Sequence, residues 1–222
     1  MDPDGRSTWV INREDGTYEV IGGDVNDGDK NIYLYTKDND GNYTVRGNSL
    51  GESMTEYSFF GESGEAIKGA IINPNDNSGT DFLNNEIIAD DPHVLYYMPN
   101  ATGGKKYDFK RRDIENRPEG METGQYHYRG MPLKDADGNT VYGSARDVGN
   151  YGAGYVAGKT GLAWKTARMG FDLLESYQNR ELSTEGRPTQ RAERLGYNAG
   201  KKQYLLHTAN TLLNRLFNRS TK

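Results

Sequence analysis

The chain of 222 residues has no cysteine. That absence removes disulfides, thiolate zinc sites and cysteine nucleophiles together, and makes the fold indifferent to redox compartment. Histidine is nearly as scarce: His93, His127 and His207 stand far apart with no ligand spacing, so no metal site is expected. No cofactor is expected either. No apolar run approaches the roughly 18 residues that a spanning helix needs, so no membrane span is expected. A charged-then-apolar leader is also missing at the start, so export is expected to use another route.

Hydrophobic residues make up only 34% of the chain, while Tyr reaches 16 against 6 Phe and Gly reaches 28. Such a chain must build its core and clefts with amphipathic aromatics and many turns. Its charge is uneven. Residues 1–100 carry 6 Lys and Arg against 19 Asp and Glu, whereas residues 101–222 carry 21 against 13. A basic second half either meets an anionic partner or complements the acidic half within one fold.

Residues 1–60 read as short strands at 9–11, 18–21, 32–35 and 43–45, separated by Asp15-Gly16 and Asp40-Gly41 hairpin signals. Pairing them in order gives a small antiparallel meander. Asp24-Val25-Asn26-Asp27-Gly28-Asp29 looks like a calcium loop, but its Gly stands at position 5 instead of 6, so it reads as a turn. Beyond it, Thr80 can cap a short helix over 81–88, and 93–98 reads as a buried strand. The fold expected is therefore α+β: an N-terminal β meander over 1–60, then a 61–222 region of short strands followed by three to four helices.

Three stretches carry candidate chemistry. In Lys105-Lys106-Tyr107-Asp108-Phe109-Lys110, strand alternation puts Asp108 and Lys110 on one face and Tyr107 and Phe109 on the other. A carboxylate beside an ammonium can accept a proton next to an oxyanion-stabilising charge, although surface ion pairs have the same look. In Gln125-Tyr126-His127-Tyr128-Arg129 the same alternation pairs His127 with Arg129; a packed, satisfied His is the bland alternative.

The third stretch runs from Asp147 to Gly158. At helical period Asp147, Tyr151 and Tyr155 form one stripe, and Asn150, Gly154, Gly158 and Gly161 a neighbouring one. Each glycine inside a helix costs about 1 kcal/mol relative to Ala. That cost is tolerable where two backbones pack closely or where substrate approaches the backbone. The polar set Asp147, Asn150, Tyr151 and Tyr155 is the cleft candidate. Helices are then expected over 162–179, 189–200 and 201–218, the last with Leu205, Leu212, Leu213 and Leu216 inward and Lys201, Lys202, Arg215 and Arg219 solvated or facing phosphate.

Two resemblances add to this reading. Asp2-Pro3-Asp4-Gly5-Arg6 resembles the D-P-x-G-R string that closes the core shell of rearrangement-hotspot (RHS) proteins, ahead of their variable C-terminal toxin. Tyr107-Asp108-Phe109-Lys110, then Asp147-Val148-Gly149-Asn150-Tyr151-Gly152-Ala153-Gly154, then Pro188-Thr189-Gln190 with Leu195-Gly196, resemble in that order the polymorphic toxin type 44 domain over about 95–200. The spacing after Asn150 departs from that family, and Thr189 stands where it tends to have an acid. The resemblance implies residues 1–60 as a connector after an RHS core and 61–222 as the toxin domain. It also implies an antibacterial effector that type VI-like machinery secretes into a target bacterial cell, with an immunity protein as partner.

The leading mechanism expected is metal-independent cleavage of RNA in the target cytoplasm. Asp108 or His127 would accept the proton, Lys110 and Arg129 would stabilise the phosphorane, and Tyr151 or Tyr155, with Tyr107 nearby, would bind the substrate. An envelope hydrolase using Asp147 and Asp108 is the alternative, with sugar stacking on the tyrosines. A non-catalytic binding or adaptor domain is the third class.

Overall fold

The computed structural model describes residues 7–26, 28–179 and 184–217. The Asp2–Arg6 string, Asp27 of the calcium-like turn and Arg219 lie outside the described residues.

Among the described residues, seven strands close into a barrel: β1 (Thr8–Asn12), β2 (Tyr18–Gly23), β3 (Asn31–Lys37), β4 (Tyr43–Ser53), β5 (Ile71–Ile72), β6 (Gly130–Lys134) and β7 (Thr140–Ser144). Their spatial order is β1-β2-β5-β6-β7-β4-β3. Val10, Val20, Ile32, Phe59, Ala70 and Ile72 fill the barrel and are fully buried. The hairpins obey the sequence signals. Asp38 accepts from the backbone N–H groups of Asp40 (3.0 Å) and Asn42 (2.8 Å), and Asp135 does the same for Asp137 (2.9 Å) and Asn139 (2.8 Å). In both Asp-x-Asp-Gly-Asn turns the glycine supplies the positive φ.

The chain does mix strands and helices, but the expected meander followed by a helix cluster is corrected. β1 pairs with β3 in parallel, which no meander allows, and β4 runs parallel to β7. The β1–β4 set therefore recruits β5, β6 and β7 from residues 71–144 to close. Strand periodicity identifies which residues face inward; it carries no information about partners that far away in sequence.

The helical layer contains α1 (Ser78–Asp81), continued by a π-helical stretch over Phe82–Ala89, then α2 (Val94–Asn100), α3 (Thr123–His127), α4 (Ala145–Lys159), α5 (Trp164–Asn179) and α6 (Arg187–Phe217). Two expected strands are helices. In 93–98, the His93 ring nitrogen Nδ1 accepts from the Leu95 N–H (3.2 Å) and caps α2, so Tyr97 is buried while Leu95 and Tyr96 face solvent. In 125–129, Glu122 and Gln125 form a capping box that starts α3, so His127 and Arg129 do not share a strand face. Likewise 107–110 is not extended: Phe109–Arg111 is a 3-10 turn with Asp108 at its N-cap position.

The 189–200 and 201–218 helices are one helix, α6, and Leu205, Leu212, Leu213 and Leu216 are exposed instead of inward. Gly200 does not end it, because that glycine serves close packing. A Cβ on Gly154 would lie 1.9 Å from the Glu193 carbonyl oxygen, and on Gly158 2.2 Å from that of Tyr197. The converse holds for Gly196, 2.0 Å from the Tyr151 carbonyl, and Gly200, 2.2 Å from that of Tyr155. α4 and α6 thus cross backbone to backbone through two small-x-x-x-small ridges. Of the two readings of the glycine stripe, close helix packing is the one realised at Gly154 and Gly158.

Candidate active site

The α4–α6 contact forms one wall of a cleft of about 180 Å³. α2 contributes Tyr97, the 3-10 turn Asp108, Lys110 and Arg111, α4 Arg146 and Asn150, and α6 with the residues before it Glu185, Thr189 and Glu193. Residues distant in sequence meet here because the glycines let α6 lie flat on α4. Glu193 precedes Gly196 and Gly200 by three and seven residues, which places it on the same buried stripe.

Glu193 is 1% exposed. Its carboxyl and that of Glu185 share one donor: Arg168 Nη1 donates to Glu185 Oε2 (2.5 Å) and Glu193 Oε2 (2.6 Å). The other guanidinium nitrogen of Arg168 donates to Asp172. Burial pushes the Glu193 pKa well above the ordinary glutamate value, and the neighbouring Glu185 charge pushes it further. Glu185 is raised too, chiefly by burial. Burial and the mutual repulsion of the two carboxyls thus favour a proton on the pair.

Asp108 is 4% exposed, and its Oδ2 accepts from the Gly104 backbone N–H at 2.8 Å. The buried Tyr97 hydroxyl donates to the Gly149 carbonyl (3.4 Å). Its pKa is raised first by burial, then by the charges of Asp108 and Glu193, so both carboxyls act on the same phenol. Asn150 lines the cleft with a solvent-shielded Nδ2 that has no hydrogen-bond partner. Arg146, 9% exposed, ties the cleft floor to the barrel. Its Nη2 donates to Glu62 Oε1 (2.7 Å) and Thr189 Oγ1 (2.9 Å), and its Nη1 to the Tyr128 hydroxyl (2.6 Å) and the Phe60 carbonyl (3.3 Å). At the mouth, Lys110 and Arg111 are exposed.

Family models, curated proteins and solved structures were compared with the chain, and none matches.

Of the residues expected from sequence, Asp108, Lys110 and Asn150 line the cleft. The others do not. Asp147 belongs to the capping box of α4: its Oδ2 accepts from the Ser144 N–H (3.1 Å), and Ser144 Oγ accepts from the Asp147 N–H (3.2 Å). Arg129 staples the 3-10 turn, donating to the carbonyls of Phe109 (3.0 Å) and Lys110 (3.1 Å) while lying on the Tyr126 and Phe109 rings. His127 is half-buried beside that turn, and burial, then Lys110 and Arg111, lower its pKa. Tyr107 stacks on Tyr97 with ring centroids 4.9 Å apart and donates to Asp90 (2.9 Å). Tyr155 is buried in the helical core and Tyr151 packs against it.

Sequence reasoning missed Arg146, Arg168, Glu185 and Glu193. One signal was available for Glu193: its helical register with two glycines marks a carboxyl on a face that must be buried. A buried carboxyl needs a cation or a proton to persist. Arg168 supplies the cation, and the cleft sets the Glu185–Glu193 pair, with its raised proton affinity, and a separate carboxyl, Asp108, in one pocket with Lys110 and Arg111. Such an arrangement can take a proton from one substrate atom and give one to another.

Proposed function

We propose that the chain is an effector-type enzyme that cleaves RNA by acid–base catalysis in this cleft. The observation that carries the reading is convergence. Asp108 and Lys110, Asn150, and Thr189 come from the three sequence blocks that resemble the polymorphic toxin type 44 domain, and all four line one pocket. The pocket adds the proton-sharing Glu185–Glu193 pair, which those blocks did not include.

In this reading the Asp108 carboxyl takes the proton of a ribose 2′-hydroxyl, and the freed oxygen attacks the adjacent phosphorus. The phosphorus–5′-oxygen bond breaks, the departing oxygen takes the proton held by Glu185 and Glu193, and a 2′,3′-cyclic phosphate forms. Lys110 and Arg111 offset the charge that builds on the phosphoryl oxygens, and Asn150 offers an amide donor to the same group. The basic second half of the chain favours the approach of a polyanion. Delivery as an RHS payload, entry into a target cell and neutralisation by an immunity protein belong to the same proposal.

The test is expression of the wild type, Asp108→Asn and Glu193→Gln in the bacterial cytoplasm and, separately, in the periplasm, together with incubation of purified protein with total RNA. Cytoplasmic toxicity with RNA ending in cyclic phosphate, lost in both variants, is expected. Killing from the periplasm alone would replace this reading with an envelope hydrolase, for which opposed carboxyls also serve. Absence of toxicity in both compartments would overturn the effector reading itself.

A further inference from the structure

The second half of α6 leaves the body of the fold. From Lys201 to Phe217 nearly every residue is exposed, although the helix carries large apolar side chains: Leu205 is 56% exposed, Leu206 50%, Leu212 54%, Leu213 49% and Phe217 71%. At roughly 100° per residue these side chains with Ala209 occupy one arc of about 140°. The segment is about 25 Å long at helical rise. Its other face is polar, with His207, Thr208, Asn210, Thr211, Asn214 and Arg215. Such a length of exposed leucine is costly in water and marks a contact surface.

Charge decides what fits it. Residues 194–222 contain no Asp or Glu but six Lys or Arg, within a chain whose net charge is −5. By helical register Lys201 borders the apolar arc and Lys202 falls within it, one turn before Leu205 and Leu206. A second copy of the helix would bring cations against cations with no acid to answer them, whereas paired helices place opposite charges beside their seam. RNA would answer the cations and leave the leucines in water. A bilayer with anionic headgroups satisfies both: acyl chains take the leucines and Phe217, and headgroup phosphates take the lysines and Arg215.

We infer that residues 201–217 form an amphipathic docking helix that lies in the interface of an anionic lipid membrane, with the apolar arc inward. It is a surface anchor and not a span, since no helix among the described residues is long and apolar enough to cross a membrane. The docking surface occupies the opposite half of α6 from Thr189 and Glu193, so it stands or falls independently of the cleft chemistry.

The experiment is co-sedimentation of the full chain with vesicles of phosphatidylcholine alone or mixed with phosphatidylglycerol, at low and high salt, with light scattering of the free protein. The expected result is binding to the anionic vesicles only, weakened several-fold by high salt. Leu212→Glu/Leu213→Glu should abolish it and Lys201→Glu/Lys202→Glu should reduce it. These side chains are exposed, so both variants should keep the thermal stability of the wild type, and either suffices if the other does not fold. No binding to anionic vesicles, equal binding to neutral ones, or binding indifferent to the substitutions would overturn the inference. So would a solution dimer that Leu212→Glu/Leu213→Glu disperses, which would make a second copy the occupant.

Discussion

A single nitrogen of Arg168, Nη1, holds the carboxyls of Glu185 and Glu193 together, at 2.5 and 2.6 Å. One cation faces these two carboxyls and Asp172 as well, and burial together with the Glu185 charge favours a proton on Glu193. Structure and reactivity meet at that proton.

Folding stability should record it. A carboxyl whose pKa is raised in the folded state holds a proton that the unfolded chain has released above the ordinary glutamate value of 4.5. Its contribution is complete below that value and is lost as pH rises through the raised pKa. His127, with a lowered pKa, acts in the opposite sense around neutrality. The quantity to measure is therefore the difference between the wild type and Glu193→Gln. Chemical denaturation across pH 4.5–8 should show the variant gaining on the wild type as pH rises, since its amide imitates the protonated acid. A flat difference would place the proton elsewhere.

Activity should move the other way in the same variant. If the pair is the general acid, Glu193→Gln should lose about 10²–10⁴-fold in kcat while remaining folded. In the wild type, kcat should fall on the alkaline side as the pair gives up its proton, at a pH well above the ordinary glutamate range. Arg168→Lys keeps the positive charge but loses the two-pronged hold, and should shift that limb. Cyclic-phosphate release from a short RNA is the assay.

The glycine ridges give a steric prediction with its own control. Gly154→Ala puts a methyl group 1.9 Å from the Glu193 carbonyl oxygen, and Gly196→Ala puts one 2.0 Å from that of Tyr151. Backbone cannot yield as a side chain can, so the helices must part, at a cost of about 1–3 kcal/mol or more. Gly149, in the same helix α4, has no atom within 4 Å of its added Cβ. Gly149→Ala should instead stabilise by about 0.5–1 kcal/mol through helix propensity. Urea midpoints for the three variants test this; similar losses in all three would refute the ridge.

Asp147 separates a cap from a catalyst. It is buried and accepts from the Ser144 N–H within the capping box of α4. Asp147→Ala should therefore cost about 1–2 kcal/mol in stability. Turnover per folded molecule should stay at the wild-type level. A loss of turnover matching that of Asp108→Asn would return Asp147 to the chemistry.

Local chemistry was legible in the chain. The Asp-Gly turns at 15–16 and 40–41 and the small-residue stripe of α4 follow from rules that act within a few residues. Where two local rules competed, strand patterns misled. The apolar run of 93–98 and the alternation of 107–110 and 125–129 read as strands, yet the His93 cap and the Glu122–Gln125 box begin helices and 107–110 leads into a 3-10 turn. The parallel closures β1–β3 and β4–β7 left no local mark. The same was true of the meeting of Glu193 with Arg168 and Arg146 with Thr189, because each depends on which surfaces the glycines bring together. Leu205 and Leu212 misled for another reason: an apolar helical face shows that something must cover it, without saying that this chain does.

The barrel's wiring also sets an order of assembly. Strands β1–β4 can associate as soon as residues 8–53 exist, but that half-cylinder ends in two bare margins, along β2 and along β4. β5 covers the first through Tyr18 and Ile72, and β7 covers the second through Glu52 and Val141. Both margins carry unpaired peptide groups until then, which makes them adhesive to any other extended chain. Refolding from a denatured chain should thus be governed by how quickly the hairpin over 130–144 finds its distant slot, a slow closure of high contact order. In that interval neighbouring molecules can zip together along the same margins, so recovery of the native protein should fall as its concentration rises.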